Sequence, residues 1–86
     1  MSDFKYFDKA YIASATTTTV KTGSGFLHAL TLNTTAVGTI TLKDGSTVFA
    51  IIKASAVEQT FHFDVTFATS LVVVTGAASD LTISYL

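Results

Sequence analysis

The stretch Thr-Phe-His-Phe-Asp-Val-Thr-Phe, residues 60–67, alternates polar side chains with large apolar ones. Because successive side chains of a β-strand point to opposite faces, this alternation predicts a strand with one apolar and one polar face. The apolar face carries Phe61, Phe63, Val65 and Phe67. Fully burying one such side chain is worth about 1.5–3 kcal/mol. We therefore expect residues 60–67 to form the core strand of an all-β domain.

The segments after this strand indicate the same architecture. Residues 71–75, Leu-Val-Val-Val-Thr, form a short continuous apolar run, which is typical of a strand covered on both faces. Residues 81–86 alternate apolar and polar side chains. Short stretches of small and polar residues separate these segments, as expected for the turns of an antiparallel sheet.

The segments before residues 60–67 contain the clearest turn signal. Asp44-Gly45 lies between two alternating runs, and this dipeptide is the strongest short-range indication of a β-hairpin. The first run directs Ile40 and Leu42 inward. The second run, residues 46–53, is apolar on both faces, which favours burial from two sides.

The strand predicted for residues 26–33 is also apolar on both faces, which favours a central or an interface position. One face is predicted to carry alternate residues: Phe26, His28, Leu30 and Leu32. Gly23 and Gly25 precede the strand and predict a turn, since glycine adopts positive φ at little steric cost.

Residues 12–22 contain four consecutive threonines, whose β-branched side chains fit a pleated surface. They predict one strand, or two strands joined by a kink near Ala15. The chain thus holds seven or eight short strands at roughly ten-residue spacing. Residues 12–86 are predicted to form a small antiparallel β-sandwich or a jelly-roll-like barrel.

The composition indicates a domain that needs support beyond its own core. Its 86 residues make one domain, and a chain of this size buries only about 60–65% of its unfolded surface. There is no cysteine, which excludes disulfides, and charged residues are 13% of the chain, against about 25% in typical domains. We therefore expect a partner or a second copy to cover part of the surface. A monomer coated with serine and threonine is the alternative.

Charge and hydropathy argue against nucleic-acid and membrane partners. The net charge is −1, arginine is absent and the five lysines are scattered, whereas nucleic-acid-binding proteins carry a basic patch. No apolar run approaches the roughly 18–20 residues that cross a bilayer. Asp3, Lys5 and Asp8 interrupt the apolar residues of the N-terminus, unlike the pattern of a signal peptide. We expect synthesis in the cytosol without signal-directed export.

The N-terminal segment, residues 1–11, is rich in aromatic side chains. It contains Phe4, Tyr6, Phe7 and Tyr11. Three of these recur at helical spacing, but no capping signal brackets a helix. We predict an arm, which either packs its aromatic rings on the domain's own sheet or docks on another chain. In the second case these four residues form part of the contact with that chain, because aromatic side chains dominate interface energetics.

Ionisable residues that could support chemistry are few. His62 and Asp64 share one face of their strand, and with His28 they could form a metal or acid–base site. The alternative is a polar wall that faces outward. Asp44 and Asp80 lie at predicted turns, where an Asp accepts hydrogen bonds from its own backbone. No serine lies in a nucleophile-elbow pattern. We therefore expect no catalytic residue, no metal site, no cofactor and no enzymatic activity.

Four stretches from Val20 onward carry distinctive turn and core motifs. They are residues 20–28 (VKTGSGFLH), 38–45 (GTITLKDG), 63–67 (FDVTF) and 71–85 (LVVVTGAASDLTISY). Together they resemble a family of small β-sandwich structural proteins of tailed phages, of the capsid-decoration or head-auxiliary type. The aromatic arm lies outside this resemblance. If the resemblance holds, we expect Phe4, Tyr6, Phe7 and Tyr11 to form part of the capsid or intersubunit contact.

The resemblance implies a virion protein that decorates or cements the capsid surface through contacts with the major capsid protein. It also implies a homotrimer, since such modules cluster at the symmetry axes of the shell, and synthesis in the host cytoplasm. Closed rotational symmetry would cover the two-sided strands at 46–53 and 71–75. The alternative is a tail or fibre module that takes part in virion attachment or binds a receptor or carbohydrate.

Overall fold

The computed structural model describes residues 7–86. These residues form eight β-strands. In chain order the strands are β1 Asp8–Ile12, β2 Thr17–Thr22, β3 Gly25–Leu32, β4 Ile40–Asp44, β5 Thr47–Ile52, β6 Thr60–Phe67, β7 Ser70–Thr75 and β8 Leu81–Tyr85. Within this part of the chain, no helix is long and apolar enough to cross a membrane.

The strands form two four-stranded sheets that pack together. Sheet I has the order β1-β8-β3-β6, and sheet II has the order β2-β7-β4-β5. Every neighbouring pair is antiparallel. The predicted small antiparallel β-sandwich is therefore confirmed. The threonine-rich segment, residues 12–22, was predicted as one strand or two and contains one whole strand, β2, together with the last residue of β1.

The core lies between the two central strands of each sheet, which are β3 and β8 in sheet I and β4 and β7 in sheet II. Their fully buried apolar side chains are Leu27, Leu30, Leu32, Ile40, Leu42, Leu71, Val73, Leu81 and Ile83. Ile40 and Leu42 point inward as predicted. All are aliphatic, and no phenylalanine is among them.

The strand expected at the centre of the core is instead an edge strand. The bounds predicted for residues 60–67 are those of β6, but β6 pairs with β3 alone. Phe67 is buried, Phe61 and Phe63 are half-buried, and Val65 is exposed. The prediction of a central position is wrong because alternation fixes which side chains share a face, not which neighbours the strand acquires.

The three strands predicted to be apolar on both faces have different positions. β3 is central in sheet I, as one of the predicted alternatives. β7 is central in sheet II, and Val72 and Val74 on its outer side are half-buried. β5 is the edge of the same sheet, and Val48, Phe49 and Ile51 are exposed. Within residues 7–86, β5 is thus not buried from two sides.

The hairpin predicted at Asp44-Gly45 is confirmed. Asp44 pairs with Thr47 across a two-residue turn, and Gly45 has a φ of +63°. The Asp44 carboxylate, however, binds the β6–β7 turn and not the turn in which it lies. It accepts hydrogen bonds from the backbone N–H groups of Ala68 (2.9 Å), Thr69 (2.8 Å) and Ser70 (3.3 Å). Asp44 therefore ties the β4–β5 turn to the β6–β7 turn.

This carboxylate makes stability depend on pH. Hydrogen bonds from the Ala68 and Thr69 N–H groups hold the pKa of Asp44 below its ordinary value of 3.8. A lowered folded-state pKa contributes stability that is present above the ordinary value and is lost as pH falls through the folded value. We expect Asp44→Asn to lower the urea midpoint at about pH 7, and the difference from the parent to shrink at about pH 2.5.

The matched control is Glu58→Gln, which removes a carboxylate that makes no side-chain hydrogen bond within residues 7–86. The control should follow the parent at both pH values. If the urea midpoints of Asp44→Asn and the parent differ by the same amount at both pH values, the Asp44 charge does not stabilise the β6–β7 turn.

The boundary predicted between arm and domain falls inside a strand. Residues 8–12 form β1 and pair with β8, from Asp8 opposite Tyr85 to Ile12 opposite Leu81. Residues 8–11 are thus part of sheet I. In an extended strand, residues four apart share a face, so Phe7 and Tyr11 point to the same side because of strand rather than helical periodicity.

Candidate functional site

A β-bulge in β3 reorients the side chains of that strand. Leu27 lies opposite Val65 and Tyr85, whereas Ala29 lies opposite His62 and Ser84, so the register shifts at His28 on both sides. Leu27 and Leu30 are both fully buried although they are three residues apart. The face predicted for Phe26, His28, Leu30 and Leu32 is therefore interrupted. His28 lies on the outer face of sheet I while Leu30 enters the core.

The facing part of β6 is also irregular. Asp64 has a φ of +51°, in the left-handed region that non-glycine residues rarely occupy, although Asp tolerates it better than most. Its Oδ1 atom lies 2.7 Å from Nδ1 of His28. The His62 ring lies 5.9 Å from the His28 ring, at an angle of 53°. The three residues that the sequence suggested for a metal or acid–base site do lie close together.

Their arrangement differs from that of a metal centre. Among residues 7–86, no group of three or more His, Asp or Glu side chains is placed to hold a metal ion. The side chains of His28 and Asp64 are 34% and 57% exposed, and an exposed ion pair is worth only about 0–1 kcal/mol. The contact between His28 and Asp64 therefore orients the His28 ring but adds little to the stability of the fold.

An aromatic ring covers the imidazole. Phe7 stacks on His28 with ring centroids 4.2 Å apart and an interplanar angle of 10°. It also lies 6.3 Å from the Phe26 ring, at 27°. Phe7 remains 44% exposed. The outer face of sheet I therefore carries an aromatic–histidine patch, which consists of Phe7, Phe26, His28, His62 and Asp64.

Tyr11 lies on the same face, on β1. Its hydroxyl donates a 2.7 Å hydrogen bond to Oδ2 of Asp80, and Nδ2 of Asn33 donates a 2.8 Å bond to Oδ1 of the same carboxylate. These bonds, that from Tyr11 first, lower the pKa of Asp80, and the bond to Asp80 raises the pKa of Tyr11. Although its hydroxyl is bound, Tyr11 is 64% exposed. Its ring therefore has a fixed position and a free face.

The predicted contact residues are only partly brought together. Phe7 lies in the aromatic–histidine patch, and Tyr11 lies at the Asp80 end of the same outer face. Phe4 and Tyr6 lie outside the described residues. Asp80 supports Tyr11 and Asn33 rather than a turn of its own.

The sequence grouped His28 with His62 and Asp64, but it did not indicate the stacking of Phe7 on His28 and near Phe26, or the support that Asp80 gives to Tyr11. One signal was present, since Asp is disfavoured within strands and Asp64 interrupts an aromatic one. Such a residue marks a position where the backbone can depart from regular pairing. The identity of its partner, 36 residues away, depends on which strand pairs with β6.

Comparisons with protein-family models, with curated proteins and with solved structures found no match for this chain. The resemblance to phage structural proteins therefore stays a hypothesis drawn from the sequence motifs. The functional interpretation depends on the surface chemistry described above.

Proposed function

We propose that this chain is a non-catalytic structural protein of a phage virion, which decorates the capsid surface by binding the major capsid protein. Two observations support the proposal. One is the resemblance of the four stretches after Val20 to phage β-sandwich modules. The other is the aromatic surface that the outer face of sheet I exposes to solvent.

The aromatic surface is the observation that carries the protein–protein role. Exposed apolar patches rimmed by polar groups mark interaction sites, and aromatic anchors supply most of the energy of such contacts. Phe7 and Tyr11 are exposed, and each is held by a neighbour, His28 for Phe7 and Asp80 for Tyr11. Because both rings are already ordered, little side-chain entropy is lost on docking.

The copy number of the chain in purified particles tests the role directly. We expect copies comparable in number to the major capsid protein or to the symmetry axes of the shell, measured by quantitative mass spectrometry. A handful of copies per particle would assign the chain to a tail, fibre or portal part instead. Absence from the particle would overturn the virion role.

Point variants test whether the outer face of sheet I is the docking surface. Deleting residues 1–11 is unsuitable, because it removes most of β1. We expect Phe7→Ala and Tyr11→Ala each to weaken capsid binding about 10-fold or more, as for an aromatic anchor worth at least about 1.4 kcal/mol. Binding to particles stripped of the protein, followed by sedimentation, measures this loss.

The matched control is Val37→Ala, because Val37 is as exposed as Tyr11 and lies in the β3–β4 connection. It should bind as the parent does. Full occupancy by both aromatic variants would show that the chain docks through another surface.

A second candidate is a tail or fibre module that binds a carbohydrate. The observation that favours it is a partly exposed phenyl ring, Phe7, next to the Asp64 carboxylate and two imidazoles. An aromatic face and adjacent polar groups are what a sugar ring needs for stacking and for hydrogen bonds. Titration with a panel of glycans, followed by NMR shifts of His28 and Phe7, separates this role from capsid decoration.

A further inference from the structure

The turn between β4 and β5 contains a pair of residues that can rearrange its backbone without an enzyme. The amide nitrogen that follows an aspartate can attack the aspartate side chain, and a glycine at that position offers the least steric hindrance. Asp44-Gly45 is the single Asp-Gly pair of the sequence. The hairpin turn therefore holds both reacting groups of this rearrangement.

The rearrangement needs no reagent other than water. The backbone nitrogen of Gly45 bonds to Cγ of Asp44, the C–OH bond of the carboxyl breaks, and the hydroxyl leaves with the amide proton as water. The product is a five-membered succinimide ring. Hydrolysis at the backbone carbonyl of Asp44 adds water again and opens the ring to isoaspartate, in which the main chain runs through Cβ and Cγ and is one carbon longer.

The folded chain holds both reacting groups on the same neighbouring loop, the β6–β7 turn. Gly45 N–H donates a 3.0 Å hydrogen bond to the carbonyl of Ser70. The Asp44 carboxylate accepts the three bonds from the N–H groups of residues 68–70. The nitrogen and the carboxyl must both leave these partners before they can react with each other.

The β6–β7 turn is itself anchored on its other side. Gly23 N–H, in the turn between β2 and β3, donates a 2.8 Å hydrogen bond to the carbonyl of Thr69. The Thr69 side chain also lies close to Gly45, since a Cβ atom at Gly45 would be 3.2 Å from its Cγ2 atom. Three turns therefore meet at this end of the sandwich, and the Asp44-Gly45 pair is released only when their contacts open.

The ionisation of the carboxyl adds to this protection. Succinimide forms faster from a neutral carboxyl than from a carboxylate, because water is the better leaving group. The hydrogen bonds from the Ala68 and Thr69 N–H groups hold the pKa of Asp44 below its ordinary value of 3.8. In the folded chain at neutral pH the less reactive form therefore predominates more strongly than in the unfolded chain.

We propose that Asp44-Gly45 is a site of isoaspartate formation that the β6–β7 turn keeps closed, and that the rearranged hairpin cannot close again. The extra backbone carbon is incompatible with the two-residue turn in which Asp44 pairs with Thr47. The remaining carboxylate is attached directly to Cα, so it is one carbon shorter in its reach toward the β6–β7 turn. Glycine is nevertheless required at position 45, where φ is +63°.

Incubation of the full chain in water enriched in oxygen-18 tests the protection. Each hydrolysis of a succinimide inserts one heavy oxygen, which peptide mapping by mass spectrometry locates at residue 44. We expect the chain unfolded in guanidinium chloride to take up label at least about 10-fold faster than the folded parent, because hydrogen bonds to a charged group exceed the roughly 1.4 kcal/mol that a tenfold change represents. Equal rates in the two states, or no label at residue 44 in either, would overturn the proposal.

Two variants of one residue test whether the β6–β7 turn provides the protection. Ala68→Pro removes the N–H that binds Oδ2 of Asp44, whereas Ala68→Ser changes the same exposed residue and keeps this donor. We expect the proline variant to take up label about 10-fold faster than the parent and the serine variant to match the parent. A proline variant that folds, as judged by circular dichroism, and takes up label at the parent rate contradicts the proposal.

Hydrogen exchange in the parent gives a second measurement that does not depend on the folding of the proline variant. The exchange rate of Gly45 N–H and the label uptake at Asp44 should rise together as guanidinium chloride is added below the unfolding transition, because both require the same opening. Label uptake that does not follow this exchange rate excludes the proposed opening. The isoaspartate form, once separated by chromatography, should unfold at a lower denaturant concentration than the parent, and an equal midpoint would show that the hairpin closes after rearrangement.

Discussion

Replacing Gly25 by alanine is expected to lower the free energy of unfolding by about 2–3 kcal/mol, the upper part of the range for overpacking. A Cβ atom at this position would lie 2.3 Å from the carbonyl oxygen of Leu86 and 2.6 Å from Cζ of Phe67. Both distances are well inside van der Waals contact. The loss therefore comes from missing space, since the φ of Gly25 lies outside the left-handed region.

The neighbours of Gly25 cannot easily give way. Leu86 and Phe26 exchange two backbone hydrogen bonds, with Phe26 N–H donating at 3.0 Å and Leu86 N–H donating at 2.8 Å. Phe67 is buried, so its ring has no open space to enter. The substitution must therefore move the C-terminal residue or the last ring of β6.

Urea denaturation followed by circular dichroism measures this loss. Gly76→Ala is the matched control, because its Cβ would come no closer than 3.3 Å, to the carbonyl oxygen of Thr39. The control should lose less than half as much stability. If Gly25→Ala unfolds at the midpoint of the parent, the close approach of Leu86 to β3 is not kept in solution.

The role of Gly25 could not be predicted from the sequence. Both glycines of the Gly-Ser-Gly turn were predicted to supply backbone freedom, and Gly23, with a φ of +90°, does so. Gly25 serves close packing instead, because the C-terminal residue passes beside it. The sequence alone does not tell whether a glycine serves backbone conformation, as at Gly23, or close packing, as at Gly25, because the neighbouring atoms are known only from the fold.

The strands themselves were predictable because their signal is local. The period of two is a property of neighbouring residues, so the bounds of β6 and the Asp44-Gly45 hairpin followed from the sequence. The order of strands within a sheet is a property of distant pairs. Hence β6 was placed at the centre when it is an edge, and β5 was expected to be covered.

The same limit applies to the geometry of the candidate sites. Phe7 and Tyr11 were identified by composition, since four aromatic residues within eight positions stand out in the sequence whatever fold the chain adopts. The bulge at His28 was missed, because an inserted residue leaves no clear mark in an alternating pattern that is apolar on both faces.

Thr75 carries the second large effect, at the crossing between the two sheets. It is 3% exposed, and its hydroxyl donates a 2.6 Å hydrogen bond to the carbonyl of Ser14 and accepts a 2.9 Å bond from Thr16 N–H. Ser14 and Thr16 belong to the segment that leads from β1 in sheet I to β2 in sheet II. The hydroxyl therefore joins β7 to the segment that links β1 to β2.

Thr75→Val keeps the shape of the side chain and removes both bonds. We expect it to lower the free energy of unfolding by about 1–2 kcal/mol, because the carbonyl of Ser14 and the N–H of Thr16, whose bonds to Thr75 are part-buried, lose their partner together. Thr19→Val, at an exposed position on β2, is the control and should stay within about 0.5 kcal/mol of the parent. In Thr75→Val the Thr16 amide hydrogen should also exchange faster than in the parent. Core amides of β3 should exchange faster only to the extent that the global free energy of unfolding falls. A variant as stable as the parent, with an unchanged Thr16 amide, would mean that the backbone bond from Thr75 N–H to the carbonyl of Thr16, at 2.8 Å, holds the crossing without the hydroxyl.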